Sequence, residues 1–187
     1  MIAFTAFLAV AAAVCFVLRS KAIFEILFVT FLTSFYHFAI RLAVGETVTL
    51  LCKNRTFSYD SFWFREHHFE PKLYALLRVK RWKTKLITAR PEQFDVSKRT
   101  SAELLFYMAQ AEIVHEIGMA LSFVPLLLIF PYGKPAVFLL TSLAACLIDA
   151  VFVIIQRYNR PRLRRILQKR RNHDETSQDH RHADGEI

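Results

Sequence analysis

The chain has 187 residues, of which 54% are apolar and 22% are charged, and its mean hydropathy is +0.27. With 4 Gly, 6 Pro and 3 Cys, the composition excludes a disordered, collagen-like or disulfide-scaffold protein. The apolar residues collect in blocks long enough to cross a bilayer, which predicts a small integral membrane protein. The formal net charge of +9 then indicates topology and contact with anionic lipid, because no nucleic-acid-binding motif is present.

Four transmembrane helices are predicted in chain order, at about 2–18, 22–43, 104–130 and 135–156. About 20 helical residues, each rising about 1.5 Å, match a hydrocarbon core of about 30 Å. The first block lacks the basic start and the small-residue cleavage site of a signal peptide, so we expect it to be retained. The predicted fold class is an all-α membrane protein, with one integral domain over 1–171 and a disordered acidic tail over 172–187.

The distribution of basic residues predicts the orientation. The segment 44–101 holds 12 Lys and Arg, the segment 157–171 holds 8, and the opposite side of the membrane holds Arg19, Lys21 and Lys134. Since basic loops stay on the cytoplasmic side, we expect a multi-pass protein of the cell membrane with both termini in the cytoplasm.

The central segment 44–101 is predicted to be an amphipathic loop at the membrane interface. Between residues 57 and 86 it alternates aromatic side chains with cations, a composition typical of the headgroup layer. Anchoring alone explains this pattern. The alternative is a cytoplasmic lid that also binds a phosphate-bearing substrate, with Trp82 and Lys83 among its contacts.

Three of the predicted helices carry ionisable residues, although each such residue costs about 2.5–3.5 kcal/mol or more at the centre of a membrane helix. The polar residues of each helix share one face, which in the fourth helix also includes Ser142, and all three groups lie at similar depth from the cytoplasmic ends. We therefore expect a shared polar pocket that opens toward the cytoplasm. Its members are His37 and Arg41 in the second helix, Glu112, His115 and Glu116 in the third, and Asp149 and Gln156 in the fourth.

Three interpretations of this pocket remain open. In the first, His115 is a general base that accepts a proton from a hydroxyl group, and Glu112 or Glu116 orients its ring. In the second, the charged residues form buried ion pairs that only fix helix packing. In the third, Glu112, His115 and Asp149 bind one metal ion. We expect no bound metal or cofactor.

Three stretches of the sequence resemble the glycosyl-4,4′-diaponeurosporenoate acyltransferases, small multi-pass membrane proteins of bacteria. The similarity covers about residues 60–168. The stretches are Phe69-Glu70…Lys72-Leu73-Tyr74…Val79-Lys80-Arg81-Trp82-Lys83, Ala111-Glu112-x-x-His115, and Asp149…Gln156-Arg157-Tyr158-Asn159-Arg160-Pro161-Arg162-Leu163. The Gln-Arg-Tyr-Asn-Arg-Pro block is the most specific. Leu86-Ile87 and Asp149-Ala150-Val151 depart from the family's Leu-Pro and Asn-x-Pro, which suggests a divergent relative.

The resemblance implies transfer of a fatty acyl group to a hydroxyl of a membrane lipid or glycolipid, with a sugar hydroxyl as the expected acceptor. In the family this reaction belongs to carotenoid biosynthesis. The donor would be an acyl-CoA or an acyl-carrier thioester, bound as a co-substrate. The same block would bind substrate through Gln156, Arg157, Tyr158, Asn159 and Arg160. Two alternatives stay open: the arginines of this block only mark the cytoplasmic end of the helix, or the chain is a non-catalytic lipid-binding or assembly protein. Membrane lipids and the acyl donor are the expected partners, no nucleic acid is expected, and the oligomeric state is left open.

Overall fold

The computed structural model describes residues 1–53, 61–83 and 100–184, with side chains up to Lys169. Within these ranges the chain is helical and contains no strand, which confirms the all-α class. The helices are α1 (Ile2–Val17), α2 (Ala22–Cys52), α3 (Glu70–Leu76), α4 (Val79–Trp82), α5 (Ser101–Leu121), α6 (Ile129–Tyr132) and α7 (Pro135–Asp184). Short 3-10 helices occupy Phe62–Phe64 and Val124–Leu128.

Three segments are long and apolar enough to cross a membrane: Ala22–Cys52, Ser101–Tyr132 and Pro135–Lys169. They correspond to the second, third and fourth predicted spans. Helix α1 is apolar but has 16 residues, and a helix of that length rises about 24 Å against a hydrocarbon core of about 30 Å. The fourth crossing therefore stays a prediction.

Two helix boundaries differ from those predicted. Helix α2 continues past residue 43 to Cys52 because the residues after it are compatible with a helix, including Thr49, whose hydroxyl donates to the Gly45 carbonyl at 2.7 Å. Helix α5 ends at Leu121, well before residue 130. Pro125 follows within one turn, and since proline lacks an N–H group, the chain continues as a 3-10 helix and then as α6.

The last helix is also longer than predicted. We expected it to end near residue 156 and the tail 172–187 to be disordered, whereas α7 continues to Asp184. Between Pro161 and Gly185 the sequence contains neither proline nor glycine, so no residue there terminates a helix. Residues 185–187 lie outside the described part.

The central segment contains more helix than the predicted loop. Its described residues 61–83 form a 3-10 helix, α3 and α4, and the change of direction between the last two occurs at Arg78, whose φ is 51°. Large apolar side chains are exposed here, namely Phe62, Trp63, Phe69 and Leu76. The rest of the predicted interfacial loop, at 54–60 and 84–99, lies outside the described residues, and the interfacial position itself stays a prediction.

The chain forms two compact units. The first comprises Met1–Arg55 and Gln110–Val153, and the second comprises Thr56–Ala109 and Ile154–Ile187. In the first unit, α1, α2 and α7 share a core in which Val29 and Phe138 are completely buried. In the second unit, a smaller core is formed by Tyr74, Val79 and Tyr158.

We predict that Phe138→Ala destabilises the first unit, because it leaves a cavity where the side chain is fully buried. The expected loss is about 3 kcal/mol, at the lower end of the range for Phe→Ala, since lipid replaces water as the surrounding solvent. Leu140→Ala is the matched control, because Leu140 is 68% exposed. Thermal unfolding of the purified proteins in detergent measures both, and equal unfolding temperatures for the two variants would contradict the prediction.

Candidate functional site

A buried carboxylate connects three helices in the first unit. Asp149 on α7 is completely buried, and Arg41 on α2 donates to both of its oxygens, from Nε at 3.1 Å and from NH2 at 2.5 Å. His115 on α5 lies on the same carboxylate, with Nδ1 2.9 Å from Oδ1. The structure thus brings together one predicted residue from each of the three polar helices.

Arg41 also binds the backbone of two helices. Its NH1 donates to the His37 carbonyl at 2.7 Å and its NH2 donates to the Ala145 carbonyl at 2.8 Å. The bidentate fork of arginine suits a carboxylate, and the remaining N–H groups satisfy carbonyls that would otherwise go without a second partner. The pair therefore fixes α2 against α7 as well as neutralising Asp149.

The ring of His115 is fixed in position and partly open to its surroundings. It stacks on Phe152, with 4.7 Å between the ring centroids and 12° between the planes, and its side chain is 24% exposed. An ionised carboxylate only accepts hydrogen bonds, so Nδ1 carries the proton that points to Asp149. In neutral His115 this leaves a lone pair on Nε2, which has no hydrogen-bond partner among the described residues.

The carboxylate on His115 Nδ1 is therefore Asp149. The sequence pointed instead to Glu112 or Glu116, because i, i+3 and i+4 spacing identifies neighbours on one helix only. Glu112 is completely buried, Glu116 is half-buried, and both lie on α5 within one turn of His115. Their role in orienting the ring stays a prediction. Asp149, expected among substrate-binding residues, is the side chain that holds the imidazole.

Two further polar side chains of the first unit are buried without a hydrogen-bond partner among the described residues. Both ring nitrogens of His37 and the hydroxyl of Ser142 are in this state, and the two residues are 5% and 1% exposed. A buried polar group without a partner costs about 1–3 kcal/mol, so such groups normally bind water or a ligand. The sequence predicts a binding role for His37, whereas it places Ser142 on the face of Asp149 without marking it as a site residue.

Gly118 allows the close approach of α5 to the carboxylate. A Cβ atom at this position would lie 2.9 Å from Oδ2 of Asp149 and 3.2 Å from its Cγ. Any larger residue would displace a carboxylate that Arg41 and His115 hold from two other directions. This requirement for glycine was not recognised from the sequence.

A metal site receives no support from the geometry. In the described parts of the chain, no three His, Cys, Asp or Glu side chains converge as metal ligands. The trio of Glu112, His115 and Asp149, which the sequence left open as an alternative, is therefore not arranged as a mononuclear site.

In the second unit, another buried ion pair involves the Gln-Arg-Tyr-Asn-Arg-Pro block. Arg157 donates to Oε1 of Glu70 from NH2 at 2.6 Å and from Nε at 3.0 Å, and the Tyr74 hydroxyl donates to Oε2 at 2.6 Å. Burial alone would raise the pKa of the Glu70 carboxyl, but the hydrogen bonds from Tyr74 and Arg157 and the positive charge of Arg157 together hold this pKa below its ordinary value. Burial and the hydrogen bond to Glu70 raise the pKa of Tyr74.

The other residues of this block also contact the segment 61–83. Tyr158 packs edge-on against Tyr74, with 5.4 Å between the ring centroids. Asn159 accepts a hydrogen bond from Lys83 at 2.6 Å, and Arg160 NH2 donates to the Phe64 carbonyl at 2.9 Å. Gln156 is buried, and the indole of Trp82 donates to the Leu77 carbonyl at 2.8 Å. These contacts give the block a structural role, and its binding of substrate stays a prediction.

Burial shifts the pKa of Lys83. Loss of solvent, followed by the nearby positive charges of Arg162 and Lys80, lowers the pKa of its ammonium group. Its Nζ lies 4.8 Å from the centre of the Tyr158 ring, so a cation–π contact supports the charged form.

We predict that Glu70→Gln destabilises the second unit most at neutral pH, because Arg157 loses its buried counter-ion, a loss that costs about 3–5 kcal/mol in buried pairs. The folded-state pKa of Glu70 is lowered, so the carboxylate stabilises the fold above the ordinary glutamate pKa of about 4.3. That contribution disappears as the pH falls through the lower, folded-state pKa. The difference in unfolding temperature between wild type and variant should therefore shrink on acidification from pH 7 to pH 3.

The control is Glu25→Gln, which removes an exposed pair with Lys134 at 3.2 Å. Such a pair contributes about 0–1 kcal/mol. A Glu70→Gln protein as stable as this control at pH 7, or a difference independent of pH, would refute the assignment.

We predict that Gly118→Ala lowers stability by about 1–3 kcal/mol, as overpacking does elsewhere, because the new methyl group meets the Asp149 carboxylate. Gly45→Ala is the matched control, since a Cβ atom there meets nothing within 4 Å. In the helix α2 this change should be neutral or stabilise by up to about 1 kcal/mol. In detergent, the unfolding temperature of Gly118→Ala should fall clearly below that of Gly45→Ala. Equal shifts for the two variants would contradict the close approach of α5 to the Asp149 carboxylate.

Comparison with known proteins places this chain in a family. A family model described as glycosyl-4,4′-diaponeurosporenoate acyltransferase matches residues 60–169, more than half of the chain. No curated protein and no solved structure matches the chain. The matched region includes His115, Asp149 and the whole Gln-Arg-Tyr-Asn-Arg-Pro block, and it confirms the resemblance found in the sequence. The chain belongs to the glycosyl-4,4′-diaponeurosporenoate acyltransferase family.

Proposed function

We propose that the protein is a membrane-embedded acyltransferase that moves a fatty acyl group from a thioester to a hydroxyl of a membrane lipid or glycolipid. The family is named for acyl transfer to a glycosylated carotenoid. The acceptor that follows from this name is a sugar hydroxyl, and the donor is an acyl-CoA or an acyl-carrier thioester. Three apolar segments of spanning length support a membrane location.

One observation carries the catalytic assignment: Nδ1 of His115 lies 2.9 Å from a carboxylate oxygen of the fully buried Asp149. An imidazole held in this way has a defined tautomer, with the lone pair of Nε2 available to a hydroxyl group. The carboxylate also stabilises the imidazolium that forms when the proton is taken. Asp149 is thus the orienting partner that general-base catalysis requires, and Arg41 keeps that partner in place.

The reaction uses only these groups and the two substrates. The acceptor oxygen forms a C–O bond to the thioester carbonyl carbon, and its proton moves to Nε2 of His115. The C–S bond then breaks, and the departing sulfur takes the proton from Nε2 to leave as a thiol. Atoms and charges balance without a metal or a redox partner.

The buried His37 ring and Ser142 hydroxyl are further candidates for substrate contacts. Neither has a hydrogen-bond partner among the described residues, so a polar group of the substrate would relieve the cost of burying them. The acyl chain itself needs only apolar surroundings, which the spanning segments and the lipid supply.

The distribution of basic residues supports an orientation with the central segment and both termini in the cytoplasm. Twenty Lys and Arg lie in segments 44–101 and 157–171, against three near the opposite ends of the helices.

The second candidate function is a non-catalytic lipid-binding or assembly protein whose polar residues are structural. The observation that favours it is the set of three hydrogen bonds by which Arg41 fixes α2 against Asp149 and Ala145 of α7. In that case, replacing His115 would lower the amount of folded protein, and turnover per molecule of folded protein would not change.

His115→Gln separates the two functions. We expect turnover per molecule of purified protein to fall about 10²- to 10⁴-fold, the range for a lost general base, with little change in the yield of folded protein. Lipid extracts of cells that express the wild type, analysed by mass spectrometry, should contain an acylated lipid that is missing from the variant.

His68→Gln is the control, because it is the same substitution at an exposed position of the second unit. Its turnover and lipid profile should match those of the wild type. Wild-type turnover in the His115 variant would refute the general-base assignment, and an unchanged lipid profile with and without the gene would refute acyl transfer.

A further inference from the structure

An arginine-rich groove lies within the second unit. Its volume is about 240 Å³, and its charged lining consists of Arg65, Arg160, Arg164, Arg165 and Glu66. Four arginines against one glutamate give the lining a formal net charge of +3. Like charges at such spacing repel one another, so the groove favours an anionic occupant.

The helix α7 sets the spacing of three of these arginines. Arg160 and Arg164 are four residues apart and therefore face the same side, and Arg165 follows on the adjoining position. A stretch that only marked the cytoplasmic end of a helix would not need its cations to share one groove. The shared face is thus a feature that the positive-inside rule does not explain.

Arg160 forms a fixed wall of the groove. It is only 4% exposed, its NH2 donates to the Phe64 carbonyl at 2.9 Å, and its guanidinium lies 4.6 Å from the centre of the Phe64 ring. An arginine held by its own chain loses less conformational entropy when it binds a ligand. The groove is in this respect prepared before any ligand arrives.

Glu66 occupies the groove as an internal carboxylate. Its Oε2 lies 3.3 Å from NH2 of Arg165, and the two side chains are 34% and 70% exposed. An exposed pair of this kind contributes little to stability, so the carboxylate exchanges readily with another anion. The position of Glu66 marks where the oxygen of an incoming anion would bind.

We propose that this groove binds the phosphate group of a phosphate ester. Arginine matches the geometry of phosphate oxygens with two parallel N–H donors, and two or more arginines together discriminate phosphate from a single carboxylate. The volume is below the range of about 300–1,000 Å³ typical of whole drug-sized ligands, which suits a phosphate with a few adjoining atoms. Phe64 and Leu105 supply an apolar wall, so the remainder of the ligand is not fully polar.

Two sources carry this chemistry: the phosphates of a coenzyme A-type donor and the headgroup of an anionic membrane lipid. The choice between these two sources deepens the proposed function and rests on it, whereas the binding of a phosphate group does not depend on it. Phosphate binding is therefore measured without turnover, on the full-length protein in a non-ionic detergent.

The first arm titrates coenzyme A into the protein by calorimetry. The second reconstitutes the protein with phosphatidylglycerol or with phosphatidylcholine and measures the lipid retained after purification by mass spectrometry. We expect Arg164→Gln and Arg165→Gln each to weaken binding of one probe about two- to fivefold, as loss of one partly exposed charge does. Glu66→Gln should strengthen binding of the same probe, because it removes the competing carboxylate.

Lys72→Gln is the control, because it removes one positive charge from an exposed position of α3 outside the groove. Effects confined to coenzyme A identify the donor as the source, and effects confined to phosphatidylglycerol identify the lipid headgroup. Groove variants that bind both probes as the Lys72 variant does would overturn the proposal. Intact binding with no acyl transfer would refute the proposed function alone, and intact transfer with no phosphate binding would refute this inference alone.

Discussion

The structure of the first unit depends on the burial of one negative charge. Asp149 has no solvent exposure and lies in a segment of spanning length, where an uncompensated carboxylate would be expensive. Arg41 compensates it with two hydrogen bonds and binds two backbone carbonyls with its other donors. This arrangement explains why the polar residues of separate helices meet: the acid needs the arginine, and both need helices that approach closely. Gly118 provides that approach from α5, since no side chain separates its backbone from the carboxylate.

The same carboxylate orients His115, so packing and chemistry are not separate in this cluster. A buried ion pair by itself contributes little net stability, because desolvation offsets much of the Coulomb attraction. Its value in a functional site is orientation: a carboxylate fixed by a bidentate arginine presents its remaining lone pairs in one direction. Oδ1 accepts from Arg41 Nε and also faces Nδ1 of His115. With Phe152 stacked on the ring, the imidazole has little freedom to rotate, and a general base needs this restriction.

Sequence patterns predicted the helices and a polar cluster, and physical reasons explain where they failed. Apolar block length reports spans, but helix ends depend on single residues. Pro125 shortened α5, whereas α7 continues through Pro161 and then meets no further proline or glycine before Gly185. Depth along the helices brought the polar residues of three helices to one level, but it did not indicate which carboxylate faces the imidazole of His115. Helical spacing relates residues within one helix, while Asp149 approaches from another. Gly118 was missed because it carries no charge that interrupts an apolar block, and for the same reason Ser142 was not marked as a site residue.

The Gln-Arg-Tyr-Asn-Arg-Pro block shows that the most recognisable motif of a chain can be a structural one. Arg157 pairs with Glu70, Tyr158 packs on Tyr74, and Asn159 accepts from Lys83, so consecutive residues of one helix hold a segment about 80 positions earlier in the sequence. A helix face offers roughly every third or fourth residue to a neighbour, and the contacts of adjacent residues therefore require partners on more than one side. The segment 61–83 supplies them by folding into short helices around the block. Arg160 belongs to this scaffold and to the arginine groove, so the fold of the segment and the placement of the positive charge are determined by the same residue.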